Sequence, residues 1–202
     1  MLKQTLNGIL AGILIIIGCS VFLACEVNYV GAVMFAVALL CICYKGYSLF
    51  TGKVGYLAES CKKQDISIVL TALLGNLIGT FLFGLMVSYA LPNLQEKAFA
   101  ICSAKLTQTV PVAFIRAIFC GMLMYLAVCL YKEHKTIAGI VFCVPVFILA
   151  GFEHSIADMG YFAISGIVSL EAFLFIWVVI LGNSLGGVLL PLLGRLTKER
   201  AN

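Results

Sequence analysis

The chain has 202 residues, of which 63% are hydrophobic and 11% charged, with mean hydropathy +1.13 and a formal net charge of +4. A soluble domain is about 25% charged, so the composition excludes a water-soluble enzyme, and the absence of a basic stripe or recognition motif excludes a nucleic-acid partner. At roughly 20 apolar residues per bilayer crossing, the length holds six spans with short connections and no large soluble domain.

The hydrophobic runs predict spans near 7–25, 29–48, 66–91, 111–131, 136–151 and 168–194. The first follows a single lysine, Lys3, and its apolar core is longer than that of a signal peptide, so it is read as a retained helix. Two stretches fit a lipid-exposed helix poorly: YKGYSLFTGKVGYLAES (44–60) after the second span and GFEHSIADMGYFAISG (151–166) after the fifth. Both read as interruptions within a helix. The nine cysteines lie mostly in apolar runs, and no C-x-x-C or other metal spacing occurs, so they read as small hydrophobes; neither a metal nor a cofactor is expected.

Positive charge sets orientation. With the N-terminus inside and six crossings, the inside segments hold Lys3, Lys62, Lys63, Lys132, Lys135, Arg195, Lys198 and Arg200, and the outside segments hold Lys97 and Lys105. Lys45, Lys53 and Arg116 lie at or near spans and do not enter this balance. The expectation is a multi-pass protein of an inner or plasma membrane with both termini cytoplasmic.

An internal repeat organises the chain. GNLIG (Gly75, Asn76, Gly79) lies in the third span, and GNSLG (Gly182, Asn183, Gly186) in the sixth. The two interruptions also fall in matching spans, the second and the fifth. A half with an odd number of crossings turns the next half upside down, so the expected fold is all-α, with two inverted three-helix repeats (about 1–92 and 105–195) in one transmembrane domain whose broken helices meet at mid-depth. The Gly-Asn-x-x-Gly residues themselves read as close helix packing. Non-helical backbone at that depth is tolerated only when buried or lining a cavity. Ionisable groups there default to a functional reading, which singles out Glu153, His154 and Asp158.

At these residues the chain resembles the formate/nitrite transporter family. GFEHSIADM is close to the family's GFEHSIANM in its broken fifth helix, and SLFTGK (48–53) to the Leu-Phe-Thr loop that breaks its second. GNLIG and GNSLG resemble motifs of its third and sixth helices, and KLTQTVPVAFIRAIFCGMLMYLAV (105–128) resembles its fourth-helix region with the preceding lysine. The resemblance implies an aquaporin-like fold, a homopentamer in the lipid bilayer, and a channel or proton-coupled transporter for small monovalent anions such as formate, nitrite or hydrosulfide. It implies His154, Thr51 and Glu153 at the pore centre, with Lys105 at the anion entrance. It also implies Phe35 and Leu39 at an inner constriction, Leu49 and Phe50 at an outer one, and Phe147 as a constriction aromatic. Four positions depart from the pattern: Gly121 stands where the family often has Asn, Asp158 replaces its usual Asn, Lys53 stands where an uncharged residue is common, and Ser48 replaces an acid. Lys53 and Asp158 are expected to face each other as a compensating pair.

The expected chemistry follows. Lys105 attracts an anion, backbone N–H groups at the helix breaks and the Thr51 hydroxyl replace its lost water, and His154 supplies a hydrogen bond or a proton. Two other classes compete with this reading. A membrane enzyme using Glu153 and His154 as base and acid would lack a metal cluster, a nucleophile motif and a second nearby histidine, since His134 sits in the charged turn YKEHKT. A neutral-solute channel of the aquaporin kind would lack the paired Asn-Pro-Ala motifs.

Overall fold

The structure, a computed structural model, describes residues 2–199. Arg200, counted in the charge balance, lies outside the described residues, as does the side chain of Lys198. The described residues form helices α1 (Leu2–Ala24), α2 (Asn28–Lys45), α3 (Phe50–Lys53), α4 (Lys63–Ala90), α5 (Pro92–Leu106), α6 (Val110–His134), α7 (Ala138–Leu149), α8 (Ser155–Ser165) and α9 (Leu170–Glu199), with a 3-10 turn at Val54–Ala58.

Helices α1, α2, α4, α6 and α9 are each long and apolar enough to cross a membrane. Helix α7 has 12 residues and α8 has 11. At 1.5 Å per residue each reaches about 18 Å or less, against a hydrocarbon core of about 30 Å, so only the two in series reach the length that the fifth expected span needs. Helix α5 was not expected from the apolar pattern. Pro92 opens it at a position where the missing N–H costs nothing, and it buries only Leu94, Ala98 and Cys102.

The two interruptions are shorter than the sequence implied, and they are built alike. Helix α2 stops where Gly46 turns left-handed (φ +68°), and Tyr47 N–H closes back on the Ile42 carbonyl at 3.0 Å. Helix α7 stops before Gly151 (φ +70°), and Phe152 N–H closes on the Phe147 carbonyl at 2.9 Å. This is the glycine-terminated closure that satisfies a helix's last carbonyls. The chain is then extended through Leu49 (φ −92°, ψ 126°) and His154 (φ −111°, ψ 110°) before α3 and α8 begin. Residues 155–165, expected to be interrupted, are helical. Every residue of α8 is buried, so its polar groups meet protein and not lipid.

Glycine contacts clamp this framework. Helix α1 lies along α4, and α6 along α9. A Cβ at Gly75 would come within 2.5 Å of the Thr5 carbonyl on α1, and one at Gly182 within 2.7 Å of the Phe114 carbonyl on α6. Gly79 meets Ile9, and Gly186 meets Ile118, still more closely. Gly121, which stands in place of the family's asparagine, fits directly against the Asn183 backbone, so no larger side chain has room there.

Candidate functional site

Each helix break is held by one asparagine. Asn76 on α4 accepts from Phe50 N–H at 2.9 Å through Oδ1, and its Nδ2 donates to the Ser48 and Gly8 carbonyls at 2.9 and 2.8 Å. Asn183 on α9 accepts from Ser155 N–H at 2.8 Å, and donates to the Glu153 and Ala117 carbonyls, both at 2.8 Å. Both side chains are completely buried. Each one satisfies the orphan donor of a restarting helix and ties the break to a neighbouring long helix. The sequence reading assigned these asparagines to packing. The signal it missed was chemical: a fully buried amide needs about four hydrogen-bond partners, and a helix break is where unpaired backbone groups collect.

The breaks bring Thr51 and His154 together. Thr51 Oγ1 lies 2.9 Å from His154 Nε2, with both residues buried. The proton positions follow from the other ring nitrogen. Ala157 N–H donates to His154 Nδ1 at 3.0 Å, and a backbone N–H can only donate, so Nδ1 carries a lone pair. The ring is therefore neutral with its hydrogen on Nε2, and that hydrogen is donated to Thr51 Oγ1. The Thr51 hydroxyl hydrogen is left to point elsewhere. The break's backbone N–H groups at Phe50, Ser155 and Ala157, which the sequence reading had offered to an anion, are engaged by protein acceptors.

Apolar side chains flank this pair. The Phe147 ring stacks on the His154 imidazole (centroids 5.4 Å apart, planes at 20°) and meets Phe35 edge-on at 6.3 Å. Phe35, Leu39, Leu49, Phe50 and Phe147 are all buried. A cavity of about 640 Å³ approaches from the side where α6 begins, lined by Phe35, Phe147, His154, Lys105 and Arg116 among others. A second, of about 120 Å³, approaches from the end of α6, where Leu39, Leu49, Gly52, Lys53 and Lys132 line it. The Thr51–His154 bond bridges the partition between them. Phe35 and Phe147 line the cavity on the Lys105 side, and Leu39 and Leu49 line the other. One helical turn separates Phe35 from Leu39, which places them on opposite sides of the partition.

Glu153 does not point at the Thr51–His154 pair. Its carboxylate meets the Lys105 ammonium in a short ion pair and accepts from Gln108 Nε2 at 2.7 Å. Asp158 Oδ1 meets the same ammonium at 3.0 Å. The expected Lys53–Asp158 pair is therefore not formed: Lys105 on α5 reaches Asp158 first, and Lys53 makes no ion pair among the described residues. Burial pulls the Lys105 ammonium down, but the two carboxylates, Asp158 foremost, more than offset this and hold it above the ordinary lysine range. Lys105 remains a cation, already paired on two sides. Arg116, left aside in the sequence reading, lines the same cavity without an ion pair among the described residues.

The arrangement has counterparts of known fold and sequence. The solved structure of an FNT family ion channel superposes with a TM-score of 0.82 at 26% identity, covering 98% of this chain and 88% of that one. A pentameric formate channel with formate bound superposes with a TM-score of 0.79 at 25% identity, covering 97% and 96%. The uncharacterized transporter YwcJ of Bacillus subtilis is 32% identical over 151 residues, which span 66% of this chain and 58% of YwcJ. The nitrite transporter NirC of Escherichia coli is 30% identical over 181 residues, spanning 79% of this chain and 67% of NirC. The formate/nitrite transporter family profile matches residues 1–196, and the chain belongs to that family.

Proposed function

We propose that this protein is a membrane channel or transporter for small monovalent anions of the size of formate or nitrite, with a pore in each protomer and His154 and Thr51 at its centre. The observation that carries the reading is the 2.9 Å Thr51–His154 contact. Two broken helices bring it to a buried partition between two cavities that approach from opposite ends of α6. Named relatives that are transporters and a formate channel of the same fold support it.

A bare anion in an apolar medium carries a prohibitive solvation penalty. The centre lowers it with a relay: His154 Nε2–H donates to Thr51 Oγ1, and Thr51 O–H donates to the anion. In this tautomer His154 offers hydrogen-bond polarisation and has no spare proton, because giving one up would leave an imidazolate. An anion that has taken a proton from cavity water crosses Phe35, Phe147, Leu39 and Leu49 as the neutral acid, so protons travel as co-substrates.

The same reading includes the inverted repeat, since the two breaks share their glycine closures and their asparagine clamps, and it places both termini in the cytoplasm on the charge balance. The assembly is a homopentamer, as in the formate channel of the same fold. Purified protein in liposomes tests the whole: uptake of formate or nitrite that rises under an inward proton gradient, with no chemical conversion, is the expected result. Size measurement in mild detergent should give a ring of several chains. A functional monomer, or passage of glycerol in preference to anions, would overturn the proposal.

A further inference from the structure

The Lys105 cluster contains one carboxylate more than its charge can balance. Glu153, 2% exposed, and Asp158, 1% exposed, share a single ammonium. Glu153 is fully engaged, by Lys105 on one oxygen and Gln108 on the other. Asp158 is not: Oδ1 meets Lys105, and Oδ2 is buried with no hydrogen-bond partner. A buried carboxylate oxygen without a donor is a costly group, and a neutral carboxyl that carries its hydrogen on Oδ2 lowers that cost by removing the buried charge. Asp158 lines the same large cavity as His154, from the next turn of the chain.

The surroundings offer no other counter-charge. Cys102 and Lys105 of α5, Cys19 of α1, Cys120 of α6, and Tyr161 of its own helix are the ionisable groups that interact with Asp158, beside Glu153 and the neutral His154. Arg116 lines the cavity wall but makes no ion pair with it. Among the described residues no ion pair reaches Asp158 from α3, α4 or α9.

We propose that Asp158 holds a proton in the resting protein, and that this carboxyl is a specificity-determining group that admits an anion to the Lys105-side cavity only while protonated. With the proton present, the cluster is neutral and Lys105 is left to attract the incoming anion. With the proton lost, the cluster carries net negative charge, cancels Lys105 as an attractor and repels the anion from the cavity that His154 lines. The proton comes from water in the cavity and stays on Asp158 while the anion passes, so nothing is transferred to the substrate. The inference rests on the anion-conducting reading above, and it concerns the residue that departs from the family's usual asparagine.

The test compares formate flux through wild-type and Asp158→Asn proteoliposomes across external pH. Taking the ratio of variant to wild type cancels the titration of formate itself. Asparagine imitates the neutral carboxyl, so the ratio should climb with pH, by about tenfold per unit once wild-type Asp158 is deprotonated. A ratio that stays flat overturns the inference. Glu153→Gln provides a second variant: it leaves Lys105 and Asp158 as a one-to-one pair, so Asp158 becomes a carboxylate in a neutral cluster, and the ratio of this variant to wild type should climb with pH as well. An infrared difference spectrum is independent of flux. A carboxylic-acid carbonyl band should be present in the wild type and absent from both variants, and a wild type without it contradicts the proposal. If the wild type carries no formate at any pH, the channel reading fails, and the infrared band alone then decides the state of Asp158.

Discussion

Asn76 and Asn183 perform the same act at the two helix breaks. Each accepts from the first N–H of the restarting helix, donates to the carbonyl two residues before it, and donates again to a neighbouring long helix. Among the described residues the Phe50 and Ser155 N–H groups are bonded by these asparagines and by no other side chain.

The first prediction follows from that equivalence. Asn76→Ala and Asn183→Ala should each leave buried backbone groups unsatisfied and destabilise the protein by about 2 kcal/mol or more, at about 1–3 kcal/mol per lost buried partner. The two losses should be similar, and Asn→Asp should rescue neither, because it keeps the acceptor and lacks both donors. Thermal unfolding in detergent reads this; one asparagine proving dispensable would show that the breaks are held differently.

Gly186 and Gly194 make a matched pair on α9. A Cβ at Gly186 would collide with the Ile118 backbone, whereas one at Gly194 meets nothing within 4 Å. Gly186→Ala should therefore push α6 and α9 apart at a cost of about 1–3 kcal/mol. Gly194→Ala should be neutral or slightly stabilising, because alanine is the better helix former. Melting temperatures of the two variants check this, with equal values as the contrary result.

Lys105 is the ammonium that both buried acids share, so Lys105→Met should cost about 3 kcal/mol near neutral pH by stranding the Glu153 carboxylate. The loss should shrink as pH falls and that carboxylate takes up a proton. In the wild type the sign is opposite for the lysine itself. Its folded-state value is raised, so its contribution is complete below the ordinary lysine range and is lost only as pH rises through the raised value. Unfolding of the variant followed against pH tests both statements; a variant as stable as wild type at neutral pH would mean that the carboxylates find other partners.

Much of this was legible in the chain. The long spans announced themselves because membrane helices are apolar all round, and GFEHS and LFTG marked the breaks because polar residues at that depth need a reason. The pairing of Thr51 with His154 followed from placing two breaks in matching spans. Less legible were features that depend on three-dimensional reach. Asp158 was paired with Lys53 because both departed from the same family pattern, but α5, too polar to register as a span, brings Lys105 to it instead. Phe35 and Leu39 were grouped together by the family resemblance, which does not show that they line different cavities. The asparagine clamps were hidden because Gly-Asn-x-x-Gly also satisfies the small-residue packing rule, and packing explains the glycines without the asparagine.

The central claim is that the Thr51–His154 pair conducts an anion. Its most direct test is formate uptake into proteoliposomes by wild type, His154→Phe and Thr51→Val, each confirmed to be folded and assembled. Losing a hydrogen bond to a charged species costs about 1.5–3 kcal/mol, which is roughly tenfold to a hundredfold in rate. Thr51→Val should lose anion flux by about that much, and His154→Phe, which removes the bond that polarises the Thr51 hydroxyl, should also lose flux, while Thr51→Ser, which keeps the hydroxyl, should retain it. Wild-type uptake rates with an unchanged pH profile in His154→Phe would show that the histidine only caps α8, and would contradict the account.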